Sequence, residues 1–203
     1  MERWAPRRDD VLAEIAGEIL HNYATGRTLV AVDGRHGSGQ DEFADGLVTA
    51  LRAAGAAAAR LPIEAFATRA EDAYRDGYDY DDFRDTAVKP FRSGEAVLPE
   101  LTDRVAPPGL PDELPADAVL VVDGVFLNRP ELSGIWKHSV WLQVPQESTE
   151  ERLREAGTPE EMIERAKAAQ ARYRGHLDPT AKADTLVDNS DPEHPRRIFA
   201  DSC

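Results

Sequence analysis

The segment spanning residues 28–55, TLVAVDGRHGSGQDEFADGLVTALRAAG, constrains the fold more than any other stretch of the chain. A short β-branched apolar run ends at Asp33 and Gly34, and a glycine-rich turn follows. Phe43, Leu47, Ala50 and Leu51 then recur on one helical face until Gly55 ends the pattern. A continuous apolar run of that length suits a parallel strand buried on both faces. Strand, glycine turn and helix laid end to end form the repeating unit of a parallel sheet covered by helices, whose ligands bind at the carboxyl ends of the strands.

The rest of the chain extends the pattern. Leu12, Ile15, Ala16, Ile19 and Tyr23 follow the acidic pair Asp9-Asp10 at helical spacing and predict a first helix. AAAARLPIEAF reads as a second strand. AVLVVDGVFLNRPEL carries the strongest buried-strand signal and again ends in acid plus glycine, and SVWLQV supplies a further strand. Residues 64–85 are polar and aromatic, with eight acids and three arginines, and suit a loop with short helices at the edge of a site. VAPPGLPDELPAD is a proline-rich connection. STEERLREAG and TPEEMIERAKAAQARYRGH predict two helices, each opened by a capping box, Ser148/Glu151 and Thr158/Glu161. ADTLVDNSDPEHPRRI closes with a last strand and a polar tail.

Composition excludes several classes of function. The 203 residues carry 24 Lys+Arg against 38 Asp+Glu, a formal net charge of −14, which argues against a nucleic-acid partner. No apolar run approaches the ~18–20 residues of a membrane span. The single cysteine, Cys203, can make no internal disulfide, and MERWAPRRDD lacks the apolar stretch of a signal peptide, so the cytoplasm is the expected compartment. Only four of the 24 basic residues are lysines, and the first 88 residues contain none.

That last count bears on the glycine turn. Backbone N–H groups at such a turn point at an anion, and the dipole of the following helix favours negative charge. The phosphate-loop pattern is G-x-x-x-x-G-K-[ST]; the chain offers Gly34-Arg35-His36-Gly37-Ser38-Gly39-Gln40-Asp41. Its glycines fit, whereas Gln40 brings no charge and Asp41 places a carboxylate where a hydroxyl would bind Mg²⁺. Asp123 and Glu64 each stand at a predicted strand end, so two carboxylates and an anion cradle share one sheet edge. That constellation favours phosphoryl transfer, in which a carboxylate accepts the proton of an attacking hydroxyl.

At these residues the chain resembles the uridine kinase family of P-loop nucleoside kinases, chiefly its shorter bacterial members. VAVDGRHGSG, IEAF, YDYDDF followed by VKPFRSG, VLVVDGVFLNRPEL, RAKAAQARYRGHLDP and ADTLVDNSDP occur in the family's order and spacing, from about residue 28 to 198. The resemblance implies a P-loop NTPase-type parallel β-sheet with helices on both faces. It implies a single domain over 1–203 with a small helical lid near 147–175. The implied activity is transfer of the γ-phosphate of ATP, with Mg²⁺, to the 5′-hydroxyl of a nucleoside or a similar small hydroxyl compound. Gly34, Arg35, Gly37, Ser38, Gly39, Gln40 and Asp41 would meet the nucleotide, with Arg152 and Arg165 closing from the lid. Glu64 falls at the base position and Asp123 at the metal-associated acid, with Asp41 as a second metal ligand. Asp79 and Arg129 would contact the acceptor.

Departures from the family gather where catalysis would occur: Gln40 for lysine, Asp41 for the hydroxyl, Glu64 for aspartate, Ala65 for its acidic neighbour, and no arginine between Arg154 and Arg165. Two readings follow, an altered kinase and an inactive homologue that binds a nucleotide, nucleoside or protein partner. A metal-dependent hydrolase built on Asp79, Asp81 and Asp82 is disfavoured, since those acids form one solvated segment. The first helix could cover the sheet or dock a second copy, which leaves a homodimer open.

Overall fold

The computed structural model describes residues 6–23, 25–70, 72–107, 109–111 and 113–199. Cys203 and the first five residues lie outside them. Six strands form one sheet: β1 (Thr28–Gly34), β2 (Ala58–Pro62), β3 (Val119–Gly124), β4 (His138–Gln143), β5 (Thr185–Asp188) and β6 (Arg196–Ile198). Their order is β2-β3-β1-β4-β5-β6, and all neighbours are parallel except β6, which pairs antiparallel with β5. The expected α/β fold is present. The expected polar tail is corrected, since Arg196-Arg197-Ile198 is an edge strand. It lacks an apolar run because it pairs on one side only, and Arg197 instead holds Glu14 at 2.8 Å and Glu18 at 2.7 Å.

Burial explains the strand signals. Every residue of β1 and of β3 is buried, as a strand flanked by layers on both faces requires. One face is covered by two long helices, α1 (Arg8–Asn22) and α2 (Gln40–Ala53), whose Ile15, Ile19, Phe43, Leu47 and Leu51 pack on Val30, Val32, Val121 and Leu142. The opposite face is covered by shorter helical turns between 63 and 101, through Phe66, Phe83, Phe91 and Leu101 against Leu29, Leu61 and Leu120. Two further helices, α3 (Gln146–Glu155) and α4 (Glu160–His176), follow β4. Tyr173 of α4 is fully buried against Phe126 and Trp141. Both predicted capping boxes are corrected: Pro145 and Pro159 occupy the N-cap positions, and neither makes a side-chain cap. Each proline is followed by a helix from the next residue, which puts Ser148 inside α3 and Thr158 ahead of α4.

This topology positions the site. From β1 the chain crosses through α2 to β2 on one side, while from β3 it passes over β1 to β4 on the other. The glycine turn after β1 therefore sits at the switch point of the sheet, where a crevice opens beyond the carboxyl ends of the strands.

Candidate active site

The turn from Gly34 to Gly39 is held from within and from outside. Ser38 Oγ accepts from the Arg35 N–H at 3.1 Å, and the Ser38 N–H donates to the Arg35 carbonyl at 3.0 Å. Asn189, after β5, donates to the Ser38 carbonyl at 2.8 Å, and Gln170 of α4 reaches the Gly34 carbonyl at 3.3 Å. Two glycines are obligatory. Gly37 has φ +81° and would put a Cβ 2.8 Å from the Thr149 carbonyl of α3, while Gly39 has φ +80° at the start of α2. With the carbonyls tied outward, the N–H groups of Gly39, Gln40 and Asp41 find no acceptor among the described residues. They form the open N-terminus of α2.

Gln40 does not reach into that opening. It is buried, and its amide donates to the Arg35 carbonyl at 2.8 Å and the Gly124 carbonyl at 3.3 Å, bridging the loop to the end of β3. Gly124 has φ +139°, and a Cβ there would lie 2.4 Å from Ile63, so the β3 exit passes tight against the turn that carries Glu64.

A cleft of about 310 Å³ opens beside the loop, lined among others by His36, Gln40, Asp41, Arg60, Glu64 and Asp123. The sequence-predicted Glu64, Asp123, Asp41 and Gln40 thus come together. The residue that sequence reasoning missed is Arg60. From β2 its Nε and Nη2 donate to the two oxygens of Asp123 at 2.8 and 2.9 Å, and its Nη1 donates to Asp45 at 3.1 Å. The signal was available: an arginine inside an otherwise apolar strand is buried only with a partner, and the acid ending the neighbouring strand is that partner.

The electrostatics follow from burial. Desolvation raises the pKa of Asp123, opposed by Arg60 and reinforced by Asp41 and Asp45. Glu64 keeps an exposed edge, yet desolvation of its carboxylate also raises its pKa, with the Asp123 charge adding; the Tyr78 hydroxyl, donating at 3.2 Å, and Arg60 oppose. His36 supplies no charge: burial pushes it down to about 4, and its Nδ1 has no hydrogen-bond partner among the described residues. One buried acid stands beneath the loop. Asp33 accepts from Tyr173 Oη at 2.6 Å, from the Gly34 N–H at 2.8 Å, and from the N–H and side chain of Asn128 at 3.1 and 3.0 Å.

Other predicted residues lie elsewhere. Arg35 turns away from the cleft toward Gln146 and shares a separate cavity with Arg174 at the ends of β4 and β5. Arg152 touches the loop through the Gly37 carbonyl at 3.4 Å, and its other donors go to the carbonyls of Asn189 and Ser190. Arg165 is exposed and paired with Glu161. Asp79 caps a short helical turn by accepting from the Asp82 N–H at 2.9 Å. Arg129 is buried in a bidentate pair with Glu131, with Tyr74 and Tyr80 taking its remaining face.

Mg²⁺ in a phosphate-loop site is ordinarily held by a hydroxyl at the position of Asp41 and an acid at that of Asp123. Here the first is a carboxylate, and the second has both oxygens on Arg60. Among the described residues no group of three or more His, Cys, Asp or Glu is placed to hold a metal ion. The residues present do not fit a resident Mg²⁺.

The sheet order, the switch-point turn and the open helix N-terminus define an α/β fold built on a mostly parallel six-stranded sheet. Solved structures agree. A possible uridine kinase from Bacillus stearothermophilus superposes with TM-score 0.63 at 20% identity, covering 87% of this chain and 97% of that one. A candidate fructose transport system kinase from Silicibacter sp. TM1040 does so with TM-score 0.59 at 23% identity, over 79% and 94%. No protein-family model and no curated sequence matches the chain. Among the described residues no helix is long and apolar enough to cross a membrane.

Proposed function

We propose that this chain is a phosphotransferase of the uridine kinase type with an altered phosphate loop. It would bind ATP at the N-terminus of α2 and a nucleoside or similar small hydroxyl compound in front of Glu64. The observation that carries this reading is the convergence of Glu64, Asp123 and the free N–H groups of Gly39 to Asp41 on one cleft. Glu64, with its raised pKa, takes the proton as the acceptor oxygen bonds to phosphorus and the bond to the leaving diphosphate breaks. The loop N–H groups meet the charge on the transferred group. The pair α3–α4 serves as the lid, with Arg152 fastening it to the loop.

Without a lysine at position 40, transfer forfeits about 2.7–4 kcal/mol of transition-state stabilisation, by analogy with loss of one oxyanion donor, or roughly 10²–10³-fold in rate. A purely binding role is the second reading. It is favoured by the Gln40 amide, whose donors are already engaged by two carbonyls. Assay of γ-phosphate transfer to uridine, cytidine and fructose, with the wild type and the double variant Gln40→Lys/Asp41→Thr, separates the two. Slow wild-type turnover raised by the double variant supports the transferase. Turnover absent from both, with ATP still bound, supports the binding role, and absence of ATP binding from both overturns the nucleotide reading.

A further inference from the structure

Arg60 is the only charged residue of β2, and it and Asp123 are almost wholly withdrawn from solvent, with side chains 15% and 3% exposed. A buried carboxylate needs a counter-charge, and Asp123 has one whose planar fork matches both of its oxygens. A divalent cation entering at Asp123 would have to strip two charge-assisted hydrogen bonds and then lie beside a displaced guanidinium. Three of the five guanidinium N–H groups are engaged, two by Asp123 and one by Asp45. One donor on Nη1 and one on Nη2 remain, on a side chain that lines the cleft.

We infer that Arg60 takes the place of the divalent cation in this cleft: the positive charge met by a phosphate-bearing ligand is the guanidinium held by Asp123 and Asp45, and binding does not require Mg²⁺. The inference rests on the nucleotide-binding reading above for the identity of the ligand, but not for the occupancy of Asp123. It also supplies a positive charge that the loop lacks, since Arg60 lines the same cleft as Gln40. Arginine suits the role because it stays charged while carrying a carboxylate on one edge and a phosphate oxygen on another.

Two measurements on the full chain test it. In metal-free buffer, Mn²⁺ titration followed by electron paramagnetic resonance should show no stoichiometric binding to the wild type. Arg60→Gln should gain one site that Arg60→Gln/Asp123→Asn loses again. By calorimetry, wild-type affinity for ATP should agree within about threefold between EDTA and Mg²⁺, and Arg60→Gln should weaken binding in EDTA by about tenfold or more. A Mn²⁺ site in the wild type that Asp123→Asn removes overturns the inference, as does ATP binding at least tenfold weaker in EDTA than in Mg²⁺. The wild-type titrations need no variant, so an unfolded Arg60→Gln leaves them decisive. Should ATP bind in neither buffer, the nucleotide reading falls, and the Mn²⁺ titration still decides whether Arg60 holds the place of the cation.

Discussion

Asp33 makes the stability of this protein depend on pH in the sense opposite to most carboxylates. It is buried beneath the glycine turn, and desolvation raises its pKa from 3.8 to about 6 against the four hydrogen bonds it accepts. All four donors are neutral, so burial wins. The folded protein holds this proton more tightly than the unfolded chain, and the associated stability is complete below pH 3.8 and lost as pH rises through about 6. At 1.36 kcal/mol per unit, the shift corresponds to roughly 3 kcal/mol. A comparison with Asp33→Asn cancels the contributions of the other titrating groups. Urea unfolding at pH 4.5, 5.5, 6.5 and 7.5 should show the wild-type advantage over Asp33→Asn shrinking by about 2 kcal/mol from the lowest pH to the highest, the remainder lying below pH 4.5. The absolute offset will be large, because the asparagine amide presents a donating NH2 where one of the two accepting Asp33 oxygens stood, facing N–H or O–H donors. Only its change with pH matters. A difference that stays flat, or that grows with pH, would refute the assignment of a raised pKa to Asp33.

Other consequences can be checked as directly. Gly37→Ala forces a left-handed backbone on alanine and drives its Cβ to 2.8 Å from the Thr149 carbonyl; the expected loss is about 2–5 kcal/mol in urea unfolding, and an unchanged midpoint would show that loop and α3 are not in contact. Tyr78→Phe removes the hydroxyl that favours ionised Glu64, so carbon-detected NMR of the Glu64 carboxyl should show its pKa rising further, and a fall would contradict the geometry. Tyr173→Phe breaks the 2.6 Å bond to Asp33 and the 3.0 Å contact with the Asn128 N–H, for an expected cost of about 1–3 kcal/mol and a higher Asp33 pKa.

The fold was legible where burial leaves a long apolar trace. β1 and β3 are covered on both faces, and their runs of Val, Leu and Ala announce it. β6 escaped because an edge strand of three residues with two arginines carries no such trace; its pairing depends on β5 and on the acids of α1. At the site, Glu64 and Asp123 were legible because acids at strand ends converge on one sheet edge whatever the lateral order of strands. Arg60 was not, because its meaning depends on β2 lying beside β3, and lateral order is a tertiary property. Glutamine at position 40, where the phosphate-loop pattern has lysine, was visible in the sequence as a departure from that pattern. What Gln40 does instead, closing a bridge between two carbonyls, required the approach of Gly124.

β2 lies at one margin of the sheet and β6 at the other. Such margins are templates on which foreign strands add and aggregates grow. At β2 the outward carbonyls of Ala58 and Arg60 are already stoppered by the Arg52 guanidinium at 2.7 Å and the Ala106 N–H at 2.9 Å, and Pro62 has no donor to offer. At β6 the strand is three residues long and cationic. The arginine that stands in for a cation thus also sits on a sealed seam, and a chain so built should stay free of edge-to-edge polymers even when concentrated.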